Sequence, residues 1–184
     1  MLVYPLTENA ELRALEPWRA DEFADYIARD REHLAPWLPW AQALTDVDST
    51  RAWLQRYADS TAQDMGRIYG IWLDGRLVGG TLFRVFDVRA STAEIGVWLS
   101  AEAGGRGLIT LAARRMIDWV FRERKLHRVE WRCTPTNQRS QAVAKRLGMT
   151  LDGVLRGAFP HNGVHHDVQV WSLLASEWQD LEDR

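Results

Sequence analysis

Glu94-Ile95-Gly96-Val97-Trp98-Leu99, followed by Ser100-Ala101-Glu102-Ala103 and then Gly104-Gly105-Arg106-Gly107, is a β-branched and aromatic run that ends in a glycine cluster. From Leu108 an amphipathic stretch reads as a helix over residues 108–124. Leu108, Ala112, Met116 and Val120 share one face, and Ala113, Ile117 and Phe121 widen it. Strand, glycine turn, helix start is the order of an anion site. Glycine lets the backbone come close to a ligand. The free N–H groups and the positive dipole end of the helix then face the anion. Three glycines in four residues exceed what a tight connection needs. The dinucleotide fingerprint Gly-x-Gly-x-x-Gly is absent, and no Gly-Lys-Ser/Thr ending marks a Walker loop. Phosphate binding is the leading reading, with a plain strand-to-helix turn as its alternative.

Further along, Asn137-Gln138-Arg139-Ser140-Gln141-Ala142-Val143-Ala144-Lys145-Arg146-Leu147-Gly148-Met149 opens a short helix with polar residues and closes it with a glycine. Around these two stretches the chain alternates in the same manner. Residues 12–15 read as a strand, and 19–30 as a helix entered through Pro17. Residues 36–39 break helix, and Asp48 and Ser49 are N-cap candidates for a helix through Trp53, Leu54 and Tyr57. Strands at 68–73 and 77–85 are joined by Asp74-Gly75, a hairpin signal. Strands follow at 92–99 and 128–133, a helix at 138–147, and strands at 149–155 and 166–174. This is an α+β chain with one mixed, mostly antiparallel sheet. Strands 92–99 and 128–133 should be parallel, because the helix between them is a crossover connection.

The two stretches resemble the GNAT acyltransferases, which bind acetyl-coenzyme A, and among them the ribosomal-protein N-terminal acetyltransferases of the RimJ/RimL type. The family's phosphate loop, (Gln/Arg)-x-x-Gly-x-(Gly/Ala), falls on Gly104-Gly105-Arg106-Gly107-Leu108-Ile109. The central glycine matches; Gly104 stands in the first position and Ile109 in the last. The family's Asn-x-x-Ser…Leu-Gly-Phe-x-x-Glu-Gly-x-x-Arg is close to Asn137 through Ser140, then Leu147-Gly148-Met149 and Leu151-Asp152-Gly153-Val154-Leu155-Arg156. His166-Asp167-Val168-Gln169-Val170-Trp171-Ser172-Leu173 is similar to its last strand. His33-Leu34-Ala35-Pro36-Trp37-Leu38-Pro39-Trp40 resembles the segment after its first helix.

The resemblance implies the GNAT acyl-CoA N-acyltransferase fold as one domain over residues 1–184, with splayed central strands flanked by helices. It implies acetyl transfer from acetyl-CoA to a primary amine by direct attack. Backbone groups of Val97, Trp98 and Leu99 would pair with pantetheine by strand addition. Gly104, Gly105, Arg106, Gly107, Leu108, Ile109 and Thr110 would hold the pyrophosphate. Asn137 and Ser140 would serve the cofactor, with the Ser140 hydroxyl donating to the departing sulfur; a helix-capping role is the alternative for both. Glu94 is the candidate general base, against a cross-strand salt bridge with arginine. Related enzymes can use a later glutamate, but Gly157-Ala158-Phe159-Pro160 holds no acid. Trp37 and Trp40 would line the acceptor site, or else pack internally; His33 would line it too, or else hydrogen-bond between helices. Asp152 is expected to order a turn, and His166 and Asp167 to pin the last strand.

An α-amine, with pKa near 7.7–8.0, is roughly a fifth neutral at cytoplasmic pH, whereas a lysine is below about 0.1%. A chain without an obvious strong base therefore suits an α-amine, of a protein N-terminus or a small molecule. Two other readings are an acyl-CoA-binding module without catalysis and a protein-interaction module built on the ten tryptophans.

Composition fits a globular protein, with 46% apolar residues and a net charge of −2. No basic block suggests nucleic acid. The single cysteine, Cys133, leaves no internal disulfide and no multi-cysteine metal site, and reads as a packing residue on a strand. No metal is expected. Met1-Leu2-Val3-Tyr4-Pro5 does not read as a signal peptide, and no run approaches the ~20 apolar residues that span a bilayer. A cytoplasmic location is expected, and a homodimer is compatible with the resemblance.

Overall fold

The computed structural model describes residues 3–182; Met1 and Leu2, at the head of the stretch read as lacking a signal peptide, lie outside the described residues. In chain order the elements are β1 (Val3–Pro5), β2 (Ala10–Ala14), α1 (Ala20–Leu34), α2 (Pro39–Ala43), α3 (Val47–Ala62), β3 (Ile68–Leu73), β4 (Arg76–Asp87), β5 (Thr92–Leu99), α4 (Leu108–Asp118), β6 (Arg128–Cys133), α5 (Gln138–Arg146), β7 (Thr150–His161), β8 (Val164–Leu174) and α6 (Ala175–Glu182). The chain divides into two compact units. Of the described residues, one unit holds those up to Phe83 together with Val97–Ala112; the other holds Arg84–Gly96 and those from Ala113 on. The first division falls inside β4, the second inside β5 and the third inside α4.

In the first unit β1, β2, β3 and β4 form an antiparallel series. The β3–β4 hairpin closes through Asp74 and Gly75, both at positive φ (51° and 77°), the backbone that an Asp-Gly turn supplies. Helix α3 starts two or three residues before the expected caps, Asp48 and Ser49, would place it. Asp46 is its N-cap, accepting from the Ser49 N–H at 2.7 Å, and Ser49 returns a hydroxyl contact to the Asp46 N–H. Ser49 is thus the third residue of a capping box and Asp48 lies in the first turn. Helix α1 runs four residues beyond the expected 30, to Leu34. Pro39 opens α2 at a position where a missing N–H costs nothing.

In the second unit β5 and β6 are parallel, in register from Thr92↔Arg128 to Ile95↔Trp131, as the crossover argument required. Strand β6 pairs antiparallel with β8, and β8 with β7. The β7–β8 hairpin is longer than expected: it extends to Asn162-Gly163, whose φ values of 50° and 74° mark a tight hairpin turn. Asn162-Gly163 was the overlooked sequence signal. The crossover helix also differs. It is α-helical to Asp118 and continues as one π-turn over Trp119–Glu123.

Strand alternation in this unit sorts its residues into two faces. Ala93, Ile95, Val129, Trp131, Leu173 and Trp171 are buried on one. Arg128, Glu130 and Arg132, in register with Leu174, Ser172 and Val170, occupy the other.

Candidate active site

In the first unit the end of β5 runs against β4. The Ser100 N–H donates to the Val78 carbonyl at 2.7 Å. Gly79 and Gly80 make this approach possible: a Cβ on Gly80 would stand 2.2 Å from the Trp98 ring, and one on Gly79 would stand 2.5 Å from the Trp98 carbonyl oxygen. The Trp98 side chain is buried, 5.4 Å from Trp40 and 6.1 Å from Phe23 between ring centroids, with Trp53 completing the cluster. Its indole N–H is buried without a hydrogen-bond partner. Trp40 is half-buried in this cluster, whereas Trp37 is 40% exposed. His33 sits half-buried in the last turn of α1.

One turn of 3₁₀ helix, Ala101–Ala103, leads from β5 into the glycine loop. Gly104 through Gly107 are all exposed. Gly105 and Gly107 take positive φ, 79° and 75°, which glycine adopts without strain. No atom lies within 4 Å of where a Cβ would stand at either position, so the backbone is open to a ligand. The first backbone bond of α4 runs from the Leu111 N–H to the Gly107 carbonyl. The N–H groups of Leu108, Ile109 and Thr110 precede it, as at any helix start. Ile109 packs its side chain against the core cluster of Leu12, Ile71, Val78 and Leu108. Its bulk is thereby taken up by the interior. These features fit the diphosphate of an acyl-CoA.

In the second unit Asn137 caps α5, its side chain accepting from the Ser140 N–H at 3.1 Å. Capping therefore belongs to Asn137, and the Ser140 hydroxyl is used elsewhere. Its oxygen accepts the Trp131 indole N–H at 2.8 Å. Indole can only donate, so the serine proton is directed to another acceptor. Burial pushes the nearby Cys133 thiol up, with Ser140 and Trp171 acting against that rise.

Glu94 is 5% exposed. Its oxygens lie 3.4 Å from Arg84 Nε and 3.5 Å from Arg132 Nε. Burial raises its carboxyl above the ordinary glutamate range, the two arginines pull it down, and nearby Glu130 adds to the rise. Both readings of Glu94 thus coexist: it is a buried acid and an ion-pair partner. Glu94 is in register with Glu130, and Ser140 bonds to Trp131, the neighbour of Glu130 in the strand. Glu94 and Ser140 are therefore on opposite faces of the β5–β6 pair.

Of the secondary candidates, Asp167 ties the last strand to its neighbour as expected, and Asp152 has another role. Asp152 orders no turn; it lies inside β7, paired with Arg128 and accepting from the Ser172 hydroxyl at 3.0 Å. Asp167 accepts from the Gly157 N–H at 2.8 Å, within the irregular register between Leu155 and Phe159. That brings a carboxylate from β8 to the stretch of β7 that has none of its own. His166 lies beside the Phe159 ring. Among the described residues no helix is long and apolar enough to cross a membrane.

The strand end, the open glycine loop and the helix start of the first unit fit an acyl-CoA transferase. The acetyltransferase (GNAT) domain profile matches residues 11–150, and the chain belongs to that family. It is 34% identical to YdaF of Bacillus subtilis, provisionally named a ribosomal N-acetyltransferase, over 97% of this chain and 98% of the relative. It is 26% identical to the ribosomal-protein-serine acetyltransferase of Escherichia coli, over 92% of this chain and 94% of that one. Among solved structures, RimL, a ribosomal L7/L12 α-N-protein acetyltransferase in complex with coenzyme A, shares the fold with a TM-score of 0.90. Identity there is 24%, over 95% of this chain and 99% of RimL. The chain is an acetyl-CoA-dependent N-acetyltransferase with the GNAT fold.

Proposed function

We propose that the acceptor is an α-amine, of a protein N-terminus or of a small aminoacyl compound, and that Glu94 takes its proton. The observation that carries this is the buried Glu94 carboxylate held between two arginines. Such a base is matched to an ammonium of pKa near 8 and poorly matched to a lysine near 10.4. The ribosomal substrates named for YdaF, for the serine acetyltransferase and for RimL are consistent with a protein N-terminus.

Each residue then has a role. Acetyl-CoA supplies the acetyl group as a thioester. The open N–H groups that follow Gly105 and Gly107 bind its diphosphate, and the Val97–Leu99 backbone pairs with the pantetheine. The amine nitrogen bonds to the carbonyl carbon, the carbon–sulfur bond breaks, and the amine proton passes to Glu94. The Ser140 hydroxyl donates to the departing thiolate, and Asn137 holds the helix start that carries Ser140. Trp40, Trp37 and His33 contribute to acceptor binding. One catalytic domain over residues 1–184, a cytoplasmic location and a homodimer are part of this reading.

The test is acetyl transfer to a peptide with a free α-amine by the wild type, Glu94→Gln and Ser140→Ala. Loss of turnover in both variants with acetyl-CoA binding retained supports the roles. Full turnover in Glu94→Gln removes Glu94 as base.

A further inference from the structure

The face of the second unit that carries Glu94 also carries an alternating line of charge. Arg84 of β4 and Arg132 of β6 flank Glu94 at 3.4 and 3.5 Å. The Arg132 guanidinium holds Glu130 more tightly, at 2.9 Å through Nη2. The other Glu130 oxygen takes Arg128 Nε at 2.9 Å. Arg128 Nη2 reaches Asp152 on β7, and the second Asp152 oxygen accepts from Ser172 on β8. Signs alternate along Arg84, Glu94, Arg132, Glu130, Arg128 and Asp152, and the far end is anchored by a hydroxyl.

The distances rank the claims on Arg132. Glu130 has the shorter contact, and Glu94 has the longer one. A carboxylate in a close two-armed pair with arginine loses its basicity, while a buried carboxylate with no cation stays protonated. An intermediate hold anchors the group and leaves it able to accept a proton. We propose that Glu130 and Asp152 are positioning residues for Glu94, acting through Arg132: they keep that guanidinium at the edge of contact with the proposed base. This inference rests on the reading of Glu94 as base. The charges facing Glu94 are Arg84 from β4 and Arg132 and Glu130 from β6, with no further charged group acting on it among the described residues.

The arrangement makes predictions of opposite sign. Glu130→Gln removes the competing carboxylate and releases Arg132 to Glu94, so Glu94 should hold its proton less tightly. Arg132→Gln removes the shared cation, so Glu94 should hold its proton more tightly. Asp152→Asn frees Arg128 for Glu130, loosens the Glu130 claim on Arg132, and should act as Glu130→Gln does, more weakly. All of these are half-buried or exposed side chains, and the glutamate and aspartate changes keep size and shape.

The measurement is the carboxyl-carbon NMR titration of Glu94 in the full chain, its resonance identified by its loss in Glu94→Gln, beside the pH dependence of kcat. Shifts of about half a pH unit, downward in Glu130→Gln and upward in Arg132→Gln, with matching movement of the acidic limb of kcat, are expected. Shifts of the same sign, or none, overturn the inference. Full activity in Glu94→Gln overturns the base assignment instead, and the titration still decides whether the charge line acts on Glu94.

Discussion

Replacing Ser140 by alanine removes a hydroxyl that neither caps its helix nor packs as a methyl. The expected result is a kcat about 10²-fold lower, the scale for loss of one donor to developing charge. Acetyl-CoA affinity should change little, and stability should fall by about 1 kcal/mol because the buried Trp131 N–H loses its acceptor. Asn137→Ala should give the complementary pattern: about 1 kcal/mol lost from the α5 cap, and a smaller effect on kcat. Chemical denaturation and steady-state kinetics on the two variants separate capping from catalysis.

Glu94→Gln should lower kcat by about 10²–10⁴-fold without destabilising the protein at neutral pH. The sign follows from its raised carboxyl. A group that binds its proton more tightly when folded favours the fold below its unfolded pKa, and that contribution disappears as pH rises through the folded value. At neutral pH the buried charge is a cost, which glutamine removes. Asp152, lowered mainly by the Arg128 hydrogen bond, behaves oppositely: its contribution is present at neutral pH and is lost as pH falls through its folded value. Melting temperatures of Glu94→Gln and Asp152→Asn at neutral and acid pH should therefore move in different directions.

Among the elements, β4 and the loop after β5 use glycine in two distinct ways. Gly80→Ala would drive a methyl into the Trp98 ring and the Tyr69 carbonyl, 2.2 and 2.4 Å away. Backbone cannot yield cheaply, so a loss of about 3 kcal/mol or more is expected. Gly105→Ala meets no atom but must hold a positive φ, which costs about 1 kcal/mol. It should weaken acetyl-CoA binding more than folding. Calorimetric binding set against melting temperature distinguishes the two glycines.

The ends of β5, β6 and β3 were legible because β-branched and aromatic residues alternate there and glycine or a turn bounds them. The start of α3 was not, since Asp46, Asp48 and Ser49 are all plausible caps and only the backbone decides which carboxylate meets which N–H. The outer halves of β7 and β8 were missed because Gly157 and Pro160 break the strand pattern, and the Asp167 bond to the Gly157 N–H that supports them comes from across the hairpin. The sequence pointed to Ser140 and Glu94, but their surroundings are set by partners on neighbouring elements. Trp131 fixes the direction of the Ser140 proton, and Arg84 and Arg132 flank Glu94. No spacing rule pairs those residues.

At the scale of the whole molecule, family membership settles acetyl transfer from acetyl-CoA, and the acceptor is the question that remains decisive. The proposed base is a carboxylate, so the amine must give up its proton readily. The direct measurement is thiol release from acetyl-CoA with two matched peptides. One has a free α-amine and a capped lysine; the other has a capped α-amine and a free lysine. The account predicts turnover of the first alone, abolished by Glu94→Gln. Turnover of the lysine peptide at an equal or greater rate, or undiminished turnover in Glu94→Gln, would contradict it.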